Sequence, residues 1–180
     1  MQLGLKRNEV RILPHDSGWG NEFLEVEQSI LKHTRLEEHQ IEHVGSTAIK
    51  GIQAKPIIDI LVGIDSIEGD LKQLEKDLRR CGFYRLKVER PDEIVFAKFT
   101  DETFETKTHY IHLTNYREKI WNDLIYFRNH LNTNEAARKE YEQIKLEFVR
   151  REREGIKEYT DLKEAFVTKV LSDRNDDVEA

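Results

Sequence analysis

EHVGSTAIKGIQAKPIIDILVGI, residues 42–64, joins two short apolar runs through a Gly-Ser step. A short run before it ends at Gly45 and Ser46. Pro56 then opens a second run, IIDILVGI, that is apolar throughout except for Asp59. Continuous apolar character predicts a strand, Ile57 to Ile64, buried on both faces. A carboxylate in such a strand is unfavourable unless a partner meets it. Alternation puts Asp59 on one face with Ile57 and Leu61, and Ile58, Ile60 and Val62 on the other.

Outward from this stretch, the pattern predicts an α/β chain with a helical second half. Val10 to Leu13 reads as an extended lead-in stopped by Pro14. Asp16 or Ser17 caps a helix to about Thr34, with Phe23, Leu24, Ile30 and Leu31 near its apolar face. Gln40 to Val44 reads as a strand. Ile67, Leu71, Leu74 and Leu78 recur at helical spacing, and Gly82 ends that helix after Arg79 and Arg80. Residues 83–88, 94–99 and 108–113 read as strands, with turns at Arg90-Pro91-Asp92 and over 100–107. Helices are predicted over 117–131, 134–153 and 156–172, the last two separated by Gly155. Residues 1–172 form one domain in this reading, and 173–180 a frayed tail.

Composition narrows the function. The 180 residues carry a net charge of −6, with 38% hydrophobic and 36% charged residues. That suits one globular domain with its own core. An acidic balance disfavours general nucleic-acid binding, which leaves a basic excess. Cys81 stands alone, so neither an intramolecular disulfide nor a cysteine zinc cluster is expected, which is compatible with a reducing cytoplasmic setting. No signal-peptide pattern opens the sequence, and no apolar run approaches the roughly 18 residues of a membrane span.

The chemistry is expected at the opening stretch. A glycine after a strand lets backbone approach a ligand, and amides of a following turn can face an anion. Gly45, Ser46 and Thr47 are therefore candidate phosphate-binding residues. Asp59 is the candidate ligand for a divalent cation, with a structural ion pair as the plainer alternative. Lys55, held extended before Pro56, can supply a point charge. His112 is a candidate acid–base residue. His109 is three residues away and should face the opposite side of the same strand. Arg128 is either a phosphate clamp or the partner of a nearby glutamate. Tyr141 with Lys145, and Tyr159 with Lys163, each share a helix face. Those lysines either cover the core edge with their stems or reach toward a phosphate. Residues 150–155, RREREG, read as a solvated helix end, and Trp19 and Trp121 as packing residues.

HVGSTAIKGIQAKPIIDILV resembles the GrpB family, also called UPF0157, of the nucleotidyltransferase-fold superfamily. The likeness extends through RILPHDSGWGNEF, THYIHL, YFRNHL, YEQIK and YTDLKEAF, in that order along nearly the whole chain. It implies a nucleotidyltransferase-like fold: a short mixed sheet flanked by helices, with a C-terminal helical part. In the superfamily a Gly-Ser turn grips a triphosphate, and acids on the following strand hold Mg2+. Gly45, Ser46 and Asp59 match that pattern. Ile57 and Leu61 stand where the second acid would be, and a third acid would have to come from elsewhere, such as Glu93 or Glu105. Two functions follow. One is a Mg2+-dependent nucleotidyltransferase acting on a nucleoside triphosphate. There Lys55, Arg128, Lys145 and Lys163 neutralise charge, and His112 orients or deprotonates the acceptor. The other is a binding module for a nucleotide or phosphorylated metabolite that kept the cradle without the second acid.

Overall fold

The computed structural model describes residues 1–6, 9, 11–88, 90–150 and 156–176, without the side chains of 148–150, 156–162, 173, 175 and 176. In chain order the elements are β1 (Leu5–Lys6), α1 (Gly18–His33), β2 (Ile41–Val44), β3 (Ile58–Ile64), α2 (Lys72–Arg80), β4 (Phe83–Arg85), β5 (Ile94–Phe99), β6 (Thr106–Asn115), α3 (Lys119–Thr133), α4 (Glu135–Arg150) and α5 (Ile156–Asp176). The sheet order is β2-β3-β6-β5-β4, with β1 paired to β6. β3 and β6 run parallel, and the other pairs are antiparallel. The fold is thus mixed α/β, as expected.

The continuous apolar run after Pro56 becomes β3, flanked by β2 and β6. One sheet face carries Ile58, Ile60, Ile111 and Leu113, packed with Trp19, Phe23 and Ile30 of α1 and Leu78 of α2. On the other face Val44 and Leu61 pack on Trp121 of α3. A separate cluster joins the three C-terminal helices through Leu131, Tyr141, Phe166 and Val170, and it takes in Ile49 and Ile52 from the segment after Gly45. That segment is therefore clamped between sheet and helices, where it shapes the site.

Several local expectations change. Leu24 is 53% exposed, because α1 turns Phe23, Val26 and Ile30 inward instead. Asp16, not Ser17, caps α1 by side chain: its Oδ1 accepts from the Gly18 amide at 2.8 Å, while Ser17 makes no side-chain cap. α2 begins only at Lys72, whose amide bonds Asp70 Oδ1 at 3.1 Å. Ile67 lies before it, pinned by Asn115 Oδ1 at 2.8 Å. β6 starts at Thr106, inside the expected turn. α5 continues past Ser172 to Asp176. Val10 and residues 151–155, including most of RREREG, lie outside the described residues. No helix among the described residues is long and apolar enough to cross a membrane.

Candidate functional site

Gly45 leaves β2 with φ 71° and ψ −172°, a conformation that residues with a Cβ rarely adopt. A Cβ there would lie 2.2 Å from Asp59 Oδ2. The glycine therefore turns the chain and lets the Asp59 carboxylate lie on the turn. Register explains the closeness: Val44 pairs with Asp59 across β2 and β3.

The partner that the buried-strand acid requires is His112. Its Nε2 lies 3.4 Å from Asp59 Oδ1, and its Nδ1 bonds Glu93 Oε1. Arg90 in turn donates to Glu93 Oε2 at 3.0 Å. β6 places Tyr110 and His112 on the Asp59 face, and Val95 pairs with His112, which brings Glu93 alongside. Burial alone would lower the His112 pKa. The hydrogen bonds to Asp59 and Glu93, and then their charges, outweigh burial and push it up to about 9. The imidazole is therefore a cation near neutral pH, donating from both nitrogens. Burial would raise the Glu93 carboxyl, but His112 and Arg90 together hold it below its ordinary value. Glu105 stays exposed in the turn and does not join this network.

Beside Asp59 opens a pocket of about 150 Å³ lined by Ser46, Lys55, Tyr110, Tyr141, Lys145 and Lys163, with Ile12 and Ile57. Lys145 is only 5% exposed. Its ammonium donates to the Gln53 carbonyl at 2.5 Å and sits 4.7 Å from the centre of the Tyr141 ring. Burial, helped by the charge of Lys163 and opposed by Glu142, brings its pKa down to about 7. Burial and Lys163 also lower Lys55, against the pull of Asp59. Ser46 Oγ lies 3.3 Å from Tyr141 Oη. The wall is fixed by polar ties across the chain. Asn132 bonds the Ala48 carbonyl at 3.0 Å and the Lys50 amide at 2.9 Å, and Glu142 accepts from the Gln53 amide at 2.7 Å.

Other expected members are elsewhere. Thr47 is buried, 3.0 Å from His43 Nε2 and donating to the Ile57 carbonyl at 3.3 Å, and it does not line the pocket. The amides of Ala48 and Ile49 bond back to Gly45 and Ser46. Arg128 is not a clamp at this pocket. It donates to Glu42 Oε2 at 2.6 Å and to the His43 carbonyl at 2.8 Å, because α3 lies over β2 rather than over Asp59. His109 faces the core as alternation requires, with Nδ1 2.8 Å from Thr108 Oγ1. Burial is the main reason its pKa falls to about 3. The Tyr159 side chain is outside the described residues, while Lys163 does reach the pocket. Tyr110 is the member that sequence reading missed; its period-2 spacing from His112 was the available signal.

A resident Mg2+ does not fit this donor set. A hard cation needs several oxygen ligands. Asp59 is the only carboxylate among the described residues lining the pocket, its Oδ1 faces an imidazolium, and its other charged neighbours are lysines. Among the described residues no group of three His, Cys, Asp or Glu side chains could hold a metal ion.

Comparison with known proteins places the chain. The profile of the family described as GrpB protein matches residues 9–173. The chain belongs to the GrpB family. It is 40% identical over 173 residues to the glutamate-rich protein GrpB of Alkalihalophilus pseudofirmus, covering 95% of this chain and 99% of that one. It is 29% identical over 166 residues to a UPF0157 protein of Pseudomonas aeruginosa, covering 91% and 67%. The crystal structure of the conserved protein GrpB from Enterococcus faecalis matches it with a TM-score of 0.76 over 94% of this chain and 100% of that one. At 24% identity that likeness speaks for the GrpB fold alone.

Proposed function

We propose that this GrpB-family protein binds the phosphoryl end of a small phosphorylated ligand in the pocket beside Asp59. The observation that carries the reading is the convergence of Lys55, Lys145 and Lys163, from a loop and two helices, on one pocket of about 150 Å³. Burial disfavours the charge on Lys55 and Lys145, and a bound anion would restore it. Ser46, Tyr110 and Tyr141 add hydroxyl donors. The volume is below the roughly 300–1,000 Å³ that encloses a drug-sized ligand, so the pocket suits a phosphoryl group with the rest of the ligand outside.

Asp59 repels a phosphate but accepts from a hydroxyl. With His112 and Glu93 holding it, Asp59 is placed to orient a ligand hydroxyl beside the phosphoryl group, and it is the candidate base if that hydroxyl reacts. His112 and Glu93 are then positioning residues.

Calorimetric titration of ATP, GTP, CTP, UTP and coenzyme A precursors, with and without Mg2+, tests this in wild type, Lys145→Met and Asp59→Asn. Metal-independent binding that Lys145→Met weakens about tenfold or more is the expected result. Equal binding by Lys145→Met refutes the reading. Nucleotidyl transfer, with Mg2+ brought in by the nucleotide rather than held by the free protein, is the second reading, favoured by the Gly45 turn lying against Asp59. It predicts Mg2+-dependent binding lost in Asp59→Asn.

A further inference from the structure

A second cleft, of about 540 Å³, lies between α1, the short turn Glu38–Gln40 and β2. It shares no residue with the lysine pocket. Glu27, Glu37, Glu38, His39 and Glu42 line it, with Phe23 and Ile41 as apolar wall. Two of the acids have partners. Glu42 is held by Arg128 at 2.6 Å, and Glu37 closes a capping box with Gln40 while lying 3.4 Å from His39 Nδ1.

Glu27 differs from both. It is 6% exposed, and no hydrogen bond or ion pair of its side chain is found among the described residues. Burial raises its pKa first, and the charges of Glu38 and Glu42 raise it further. Glu27 is thus a largely buried residue whose carboxylate opens on the cleft beside like charge, an arrangement that a bound cation would relieve.

The chemistry of the occupant follows from the lining and the volume. A single metal ion is not suited, since among the described residues no three acids are disposed to share one. Several carboxylates in one cleft suit a ligand with more than one cationic group. The Phe23 and Ile41 wall wants methylene between them, as lysine stems cover apolar surface. The volume falls within the roughly 300–1,000 Å³ typical of small-molecule sites. We propose that this cleft binds an aliphatic di- or polyamine, with one ammonium group on Glu27 and another on Glu38. The inference is independent of the phosphate reading.

Spermidine serves as the probe, titrated calorimetrically into the full chain. The expected result is saturable binding that Glu27→Gln and Glu38→Gln each weaken about tenfold or more. Mg2+ at matched ionic strength should not displace it. Glu27→Gln also relieves the ligand-free repulsion, so its melting temperature should equal or exceed that of wild type. Spermidine should then raise the wild-type melting temperature and leave Glu27→Gln unmoved. No saturable heat with the wild-type chain overturns the proposal. So does a Glu27→Gln affinity within twofold of wild type, or displacement by Mg2+ at equal ionic strength. Binding of a lysine-rich peptide where spermidine fails would likewise overturn it and assign the cleft to a protein partner.

Discussion

His112→Gln is the substitution that most directly tests the network behind Asp59. In wild type the imidazolium stands between two carboxylates, Asp59 at 3.4 Å and Glu93 in direct hydrogen bond. Its pKa rises from an ordinary 6.5 to about 9. At about 1.4 kcal/mol per pH unit, that shift amounts to about 3 kcal/mol of folded-state preference for the proton. Because the folded pKa is raised, the stabilisation is fully present below about pH 6.5 and is lost as pH rises through about 9. Lys145 acts in the opposite sense. Its folded pKa is lowered to about 7, so between that pH and its ordinary 10.5 the unfolded chain holds more protons and stability rises with pH. The wild-type curve alone therefore mixes the two effects. The difference between wild type and His112→Gln cancels Lys145 and leaves His112. Urea unfolding of both proteins at about pH 6 and about pH 9.5 measures it by linear extrapolation. The stability deficit of His112→Gln should be about 2–3 kcal/mol larger at the lower pH. Lost packing adds an offset that does not change with pH. A deficit that differs by less than about 1 kcal/mol between the two conditions would refute a proton-linked ion pair at His112.

Gly45→Ala places a Cβ at φ 71° and 2.2 Å from Asp59 Oδ2. It should lower unfolding free energy by about 2 kcal/mol or more in chemical denaturation, and a change within about 0.5 kcal/mol would contradict the strained turn. Arg128→Met removes the hydrogen bonds to Glu42 and the His43 carbonyl. It should destabilise by about 1–2 kcal/mol yet leave phosphoryl-ligand affinity unchanged by calorimetry, and a large affinity loss would return Arg128 to the site. Lys145→Met removes a charge whose burial is unfavourable at low pH. Relative to wild type it should be more stable at about pH 6 than at about pH 9.5, by at least about 1 kcal/mol, and a pH-independent difference in urea unfolding would show that its ammonium is not strained by burial.

Local features were legible because they depend on neighbours in sequence. Consecutive apolar residues after Pro56 announced β3, and the single acid among them, Asp59, lines the candidate pocket. Alternation set His109 and His112 on opposite faces of one strand, and the structure buries His109 in the core while His112 meets Asp59. Helical spacing paired Tyr141 with Lys145, and both line the pocket. The order of motifs from RILPHDSGWGNEF to YTDLKEAF carried the family, which the profile match over residues 9–173 confirms.

What depended on distant segments was not legible. Asp59 and His112 are 53 positions apart, and Arg128 and Glu42 are 86 apart. Either arginine partner, a phosphate or a glutamate, satisfied the local pattern; only α3 lying over β2 chose Glu42. β1 escaped notice because two residues carry no period, and it exists only through pairing with β6. The isolation of Glu27 is of the same kind. On α1 it reads as a surface acid, and it becomes a buried one only when β2 and the Glu38–Gln40 turn close over it. Periodicity tells which way a side chain faces, and sheet order and helix placement decide what it meets there.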